Sequence, residues 1–144
     1  MNRPSPLRFK PDPRELRGVR RGARELAERQ GAAESMCDAV ALVVDELVNN
    51  AIEHGASYRR LGAELSVAVA IEQGRVTVEF IDPEMPEPQV RDLAAALAAA
   101  GNGMPSLESE RGRGLFLIAI YMEEVRVAIA AGGGLQLTGR LAPT

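Results

Sequence analysis

Apolar residues recur every three or four positions through the first third of the chain, the spacing typical of amphipathic helices. The first run follows Pro11, Asp12 and Pro13, where Asp12 suits the N-cap and Pro13 the first helical position, and it extends to about residue 30. The second run covers about residues 33–54, with Gly55 just beyond it. We therefore expect two helices, with apolar faces formed by Leu16, Val19, Ala23, Leu26 and Ala27 in the first and Val40, Val43, Val44, Leu47, Val48 and Ala51 in the second.

Four later segments show the alternation expected of half-buried strands. Gln73 and Gly74 favour a hairpin turn between the first two segments, and a run of three glycines, residues 132–134, joins the last two. Residues 7–9 could add a further short strand to the same sheet. The four predicted strands are residues 65–71, 76–81, 125–130 and 135–141.

Residues 82–111 show neither period. Prolines interrupt the first part, and glycines with a further proline interrupt the last, so we expect a long functional loop in which the alanine-rich residues 92–100 could form a short helix. A third helix then opens at Gly112, with Leu115, Ile118, Ala119 and Met122 on one side. The order of elements predicts an α+β fold, a two-layer α/β sandwich with helices on one face of a mostly antiparallel sheet.

Composition supports this picture and narrows the possible partners. The chain has 144 residues, 46% of them hydrophobic, which predicts one domain over residues 1–144. The net charge is −3, but residues 1–30 hold nine Lys and Arg against four acidic residues, so this segment is basic. Its arginines could face an acidic partner or form a solvated helix face, and the solvated face is the commoner case. Phe9 is the single aromatic residue in this segment, so we expect no nucleic-acid partner.

The same counts indicate a cellular compartment. Cys37 is the single cysteine, so no internal disulfide can form and a reducing environment is expected. No stretch approaches the ~20 consecutive apolar residues of a membrane span, and the first residues lack an apolar run. We therefore expect a cytoplasmic protein with no membrane association.

The second predicted helix carries the most informative polar residues. Glu46, Asn50 and His54 follow one another at four-residue spacing, so they form one row at the edge of the apolar face. A carboxylate and an amide held there suit a general base beside a ligand for a hard cation such as Mg²⁺. The alternative is the wet border of an amphipathic helix, and the two readings are evenly balanced on this helix alone. His54 lies in the last turn, where helix capping is at least as common as chemistry.

Two other segments are candidates for contacts with a phosphate and a base. Gly112-Arg113-Gly114-Leu115 opens a helix after a long loop, and glycines at a helix N-terminus let backbone N–H groups approach an anion. A flexible junction is the alternative, and Arg111 and Arg113 could clamp phosphates or be solvated. Asp82 follows a strand, where it could cap a turn, the commoner case, or accept a hydrogen bond from the exocyclic amine of a base.

Together and in this order, these features resemble the GHKL ATPases, the superfamily of histidine-kinase catalytic domains, type II topoisomerases and anti-sigma-factor kinases. Glu46-x-x-x-Asn50 is similar to the N box, Asp82 to the aspartate of the first glycine box, and Gly112-Arg113-Gly114-Leu115 to the second. Three segments resemble the anti-sigma-factor serine/threonine kinases specifically. These are the segment from Pro11 to Arg20, the segment from Val44 to Gly55, and Met122-x-Glu124-Val125.

The resemblance implies roles for these residues. Glu46 would be the base that activates a serine or threonine hydroxyl, Asn50 the Mg²⁺ ligand and Asp82 the adenine reader. ATP and Mg²⁺ would be the cofactors, with the phosphates bound by Arg111, Gly112, Arg113, Gly114 and Leu115. The implied partners are a STAS-type anti-anti-sigma protein, which would be phosphorylated, and a sigma factor, which the kinase homodimer would sequester.

Two motifs depart from the family pattern. The final hairpin has Leu135 after its glycines, where the family usually has Thr, and the first glycine box is altered. The first glycine box is Asp-x-Gly-x-Gly in the family, whereas this chain has Asp82-Pro83-Glu84-Met85-Pro86. Glu84 would bring a side chain and a negative charge to a place where backbone normally passes close to the nucleotide. This departure favours an alternative function, a degenerate GHKL domain that binds a regulatory partner without catalysis.

Overall fold

A computed structural model describes residues 4–101 and 110–142, of which residues 110–112 are described by their backbone alone. The described helices and strands are β1 (Leu7–Phe9), α1 (Leu16–Arg29), α2 (Glu34–Gly55), β2 (Leu65–Glu72), β3 (Arg75–Asp82), α3 (Glu87–Gly101), α4 (Glu110–Tyr121), β4 (Met122–Ile129) and β5 (Leu135–Leu141). The strands form one antiparallel sheet in the order β1-β2-β3-β5-β4. The predicted α+β fold, with helices packed on the sheet, is confirmed.

Local sequence signals fix several boundaries as expected. The Asp12 carboxylate accepts a hydrogen bond from the backbone N–H of Arg14, so it caps a single 3₁₀ turn, Pro13–Glu15, that leads into α1. Gln73 and Gly74 both have positive φ, 52° and 76°, which is the backbone of a tight two-residue hairpin turn between β2 and β3. β1 joins the sheet by pairing with β2.

The core lies between the sheet and the helices. Alternate residues of β2 and β3 face it, and the register pairs Val67 with Phe80 and Val69 with Val78. The central residues of α2 cover these strands, and Val40, Val44 and Val48 are fully buried. This burial of apolar area is the main contribution to the stability of the fold. It also fixes the orientation of α2, which places the helix's polar edge toward α4.

The segment expected to be a long loop contains a full helix. α3 covers residues Glu87–Gly101, far more than the short helix expected over residues 92–100, and Pro88 is accommodated in its first turn. Its buried residues recur at helical spacing and pack into the core: Val90, Leu93, Leu97 and Ala100. The helix expected over residues 92–100 is therefore present but longer, and the loop prediction was wrong for residues 87–91 and 101. Residues 102–109 lie outside the described part of the chain.

The junction between α4 and β4 also differs from the expectation. Met122 was assigned to the third helix, but α4 ends at Tyr121 and β4 begins at Met122 with no connecting loop. The strand starts three residues earlier than predicted. An irregularity in pairing between Glu123 and Arg126 accommodates the early start, and Glu124 has a positive φ of 53° there.

Candidate functional site

Glu46 and Asn50 lie on the edge of α2 that faces α4. Together with Asn49, Glu53 and His54 of α2 and Gly114 and Leu115 of α4, they line a cleft of about 20 Å³. The structure thus brings four of the predicted site residues to one place. The cleft is far smaller than the ~300–1,000 Å³ of typical ligand pockets, so in this geometry it does not enclose a nucleotide.

The Glu46 carboxylate lies directly against Gly114. A methyl group at position 114 would lie 2.5 Å from Oε2 of Glu46, so only glycine permits this contact in its present geometry. Burial raises the pKa of Glu46 above its ordinary value, and the nearby charges of Asp45 and Glu53 raise it further. A carboxylate with a raised pKa accepts a proton more readily, which is the property a general base requires.

Asn50 provides the clearest indication of a ligand-binding position. Its Oδ1 atom is buried and has no hydrogen-bond partner among the described residues. A buried polar atom without a partner is costly and uncommon in folded proteins. An amide oxygen is also a suitable ligand for Mg²⁺. No cluster of three or more His, Cys, Asp or Glu side chains that could hold a metal occurs in the described part of the chain. A cation at Asn50 would therefore need phosphate oxygens and waters as its other ligands.

The second glycine motif lies within the first turns of α4 and not before its start. α4 begins at Glu110, two residues earlier than predicted. The Arg113 side chain is exposed, whereas Leu115 is buried in the core. The side chain of Arg111 lies outside the described part of the structure. His54, at the other end of the cleft, is exposed in the last turn of α2.

Asp82 lies at the end of β3, with no solvent exposure. Its carboxylate accepts two hydrogen bonds from the Arg59 guanidinium, at 2.5 and 2.6 Å, and one from the Tyr58 hydroxyl at 2.7 Å. Sequence reasoning missed both partners. A buried aspartate requires a cation nearby, but the sequence offers the neighbours Arg59 and Arg60 equally, and only the tertiary structure selects Arg59.

Arg59 is held against the end of α2. Its Nη2 atom donates to the backbone carbonyl oxygen of Ala51 at 3.3 Å, and a methyl group at position 55 would lie 2.7 Å from the same atom. Gly55 was expected to follow the helix as a stop. It is instead the last helical residue, and the absence of a side chain there makes room for the guanidinium.

Glu84 is turned toward the loop between α2 and β2. Its carboxylate accepts hydrogen bonds from the backbone N–H groups of Arg60, Leu61 and Ala63, at 2.8, 3.1 and 2.6 Å. These hydrogen bonds lower the pKa of Glu84 below its ordinary value. The negative charge of Glu84, which was expected to lie beside a nucleotide, is therefore hydrogen-bonded to the loop between α2 and β2.

The comparison with known protein families decides the identity of the fold. Residues 9–140 match the family described as the histidine kinase-like ATPase domain. The chain belongs to this family. No curated protein matches the sequence. One similar solved structure is the crystal structure of the SiaB–SiaC complex from Pseudomonas aeruginosa, with a TM-score of 0.72 and 19% identity over 94% of this chain and 88% of that one. At this identity the likeness shows a shared fold.

This histidine kinase-like ATPase domain therefore has two unlike halves in its candidate site. Asn50, Glu46 and Gly114 present an unpartnered amide oxygen, a carboxylate and a glycine to one cleft, which fits a cation with phosphates. The Asp82 carboxylate already accepts hydrogen bonds from Arg59, so it is not free to accept one from the amine of a base. None of the described helices is both long and apolar enough to cross a membrane.

Proposed function

We propose that this chain is an ATP-dependent serine/threonine protein kinase that acts as an anti-sigma factor and phosphorylates a STAS-type anti-anti-sigma protein. The observation that carries the proposal is the buried, unpartnered Asn50 Oδ1 beside the Glu46 carboxylate on one edge of α2. Membership of the histidine kinase-like ATPase family supports ATP as the phosphoryl donor. The fold is also shared with a protein structure solved as a complex of two proteins, SiaB and SiaC.

In this proposal Glu46 accepts the proton of the partner's hydroxyl group. The hydroxyl oxygen bonds to the γ-phosphorus of ATP, the bond to the bridging oxygen breaks, and ADP leaves. Asn50 would hold Mg²⁺, which would neutralise charge on the phosphates. Gly112 and the other residues of the first turn of α4 would offer backbone N–H groups to the phosphates, with Arg111 and Arg113 as cations. Gly114 would leave room for the Glu46 carboxylate, and Leu115 would anchor the helix.

The proposed setting follows the same resemblance. The protein would act in the cytoplasm as a homodimer that sequesters a sigma factor while no STAS-type partner occupies it. Binding of nucleic acid or membrane forms no part of the proposal.

The test is phosphoryl transfer from radiolabelled ATP to a purified STAS-type protein of the same genome, with phosphoserine and phosphothreonine located by mass spectrometry. Wild type should transfer label, and Glu46→Gln should lose about 10²–10⁴ in rate while still binding nucleotide. Glu64→Gln, at an exposed carboxylate before β2, is the control and should transfer normally. Equal transfer by the Glu46 variant would exclude the assigned role.

The second candidate is a non-catalytic domain that binds a regulatory partner. Two observations favour it, the cleft of about 20 Å³ and the complete internal bonding of Asp82. This alternative predicts no stabilisation by millimolar Mg²⁺-ATP and no transfer to any STAS-type protein.

A further inference from the structure

Both oxygens of the Asp82 carboxylate are fully used within the protein. In addition to the two hydrogen bonds from Arg59 and the one from Tyr58, Oδ1 accepts a hydrogen bond from the backbone N–H of Glu84 at 3.1 Å. A carboxylate offers about four acceptor positions, and all four are taken. The residue is also 0% exposed. A ligand therefore finds neither a free acceptor nor access to Asp82.

The backbone on the other side of Asp82 is equally confined. The turn between β4 and β5 brings Gly134, with a φ of +90°, against this segment. A methyl group at position 134 would lie 2.5 Å from the Asp82 carbonyl oxygen and 2.6 Å from Cα of Pro83. The backbone of Asp82 is therefore held against this turn, and a ligand that approached the carboxylate would have to displace Arg59 or Tyr58.

Arg59 has little freedom to leave. It is 13% exposed at its side chain, it bonds the Ala51 carbonyl oxygen, and its guanidinium lies 4.8 Å from the centre of the Tyr58 ring. Separating a buried bidentate ion pair leaves an uncompensated charge, which is strongly unfavourable. A single hydrogen bond from the amine of a base is too weak to offset that loss.

We propose that Arg59 and Tyr58 take the place of a base's amine on Asp82, so that a nucleotide bound beside Asn50 is held through its phosphates without reading of that amine. Arg59, Tyr58 and Asp82 form a latch that fastens the loop after α2 to the end of β3. The nucleotide part of this inference rests on the proposed function, whereas the latch is testable in the free protein.

The first test compares ATP with inosine triphosphate, which carries a carbonyl oxygen where adenine carries its amine. Calorimetric titration of the full chain with each nucleotide and Mg²⁺ should give dissociation constants within about threefold of each other. A preference for ATP of tenfold or more, about 1.4 kcal/mol, would show that the amine is read and would overturn the proposal.

The second test is a double-mutant cycle on unfolding by urea, without nucleotide. Arg59→Met and Asp82→Asn should each raise the unfolding equilibrium constant about a hundredfold or more, because each leaves one partner of the buried pair alone. The unfolding equilibrium constant of the double variant should be at least tenfold smaller than the value expected if the two single effects simply multiplied. Arg60→Met, at the exposed neighbour, is the matched control and should have little effect.

The two tests separate failure of the latch from failure of the proposed function. Strictly additive effects of Arg59→Met and Asp82→Asn would overturn the latch. If neither nucleotide binds, the proposed function fails and the cycle alone decides on the latch. Should Arg59→Met not fold, Tyr58→Phe replaces it in the cycle, with a smaller but still non-additive effect expected.

Discussion

The raised pKa of Glu46 makes its contribution to stability depend on pH. Its pKa is raised by burial and by the charges of Asp45 and Glu53, so the folded protein binds a proton at this site more tightly than the unfolded chain. The stabilising contribution of protonated Glu46 is fully present below the ordinary pKa of 4.5 and is lost as pH rises through the raised folded pKa. At neutral pH the ionised carboxylate therefore destabilises the fold, as is common for residues placed for function.

Replacement of Glu46 by glutamine should consequently stabilise the protein at pH 7. The amide has nearly the same shape and carries no charge, so the variant avoids the unfavourable ionisation. Urea unfolding between pH 3.5 and 7.5 measures the difference in unfolding free energy, which should grow with pH and disappear below about pH 4.5. Glu64→Gln is the control. A variant less stable than wild type at pH 7 would contradict the assigned environment of Glu46.

At the scale of elements, the contact between α2 and α4 depends on one glycine. Gly114 faces the end of a flexible side chain, Glu46, whereas Gly134 faces the backbone of Asp82 and Pro83. The same added methyl group thus has different consequences at the two positions. At position 114 a rotation of Glu46 can relieve the contact, but at position 134 two backbone segments and an unfavourable φ oppose it.

Gly114→Ala should therefore preserve the fold and impair transfer. Alanine favours a helix interior by about 1 kcal/mol over glycine, so the melting temperature should not fall. The displaced Glu46 carboxylate should reduce the rate of phosphoryl transfer at least tenfold. Gly134→Ala is the comparison and should lower the melting temperature. Unchanged transfer by Gly114→Ala would separate Glu46 from the chemistry.

The loop between α2 and β2 depends on Glu84. Its pKa is lowered by three backbone N–H groups, so its stabilising contribution is present above the ordinary pKa of 4.5 and is lost as pH falls through the lowered folded value. Glu84→Gln should reduce hydrogen-exchange protection of Arg60, Leu61 and Ala63 at pH 7, and wild type should lose the same protection in acid. Glu87→Gln, at an exposed carboxylate paired with Arg91, is the control. Protection that survives in Glu84→Gln would show that the loop is held by other contacts.

At the scale of the whole molecule, the sequence predicted the elements with a clear period. α1, α2 and both hairpins follow strict helical or strand spacing, and the structure confirms them. Only part of α3 was predicted, because three prolines lie in or just before its first turn and a run of alanines leaves little contrast between its faces. Met122 was misplaced because Ile118 and Met122 are spaced as on one helix face, and no proline or glycine marks the change from helix to strand.

The candidate site was predictable only where its residues share one element. The spacing of Glu46 and Asn50 on α2 placed them side by side, and the structure brings them to the same cleft. The partners of Asp82 were not predictable, because an ion pair across 23 residues depends on how the loop after α2 folds back. The hydrogen bonds that Glu84 accepts from the loop after α2 were not predictable either. Every residue except proline has a backbone N–H, so the sequence does not indicate which of these groups a carboxylate will bind.

The behaviour of the whole fold toward nucleotide provides the last prediction. A ligand that binds only the native state stabilises it by about 2.7 kcal/mol at a hundredfold excess over its dissociation constant. For a protein of 144 residues this corresponds to a rise of about 5–10 °C in melting temperature. The measurement therefore uses millimolar Mg²⁺-ATP. Because Asn50 is the proposed cation ligand, the rise should require Mg²⁺ and should shrink in Asn50→Ala, while Asn49→Ala, its neighbour on α2, retains most of it.

Two results would exclude Asn50 as the ligand: a rise that is the same with Mg²⁺ as with a chelator, or a rise that is the same in wild type as in Asn50→Ala. No rise at all would favour the partner-binding domain without catalysis.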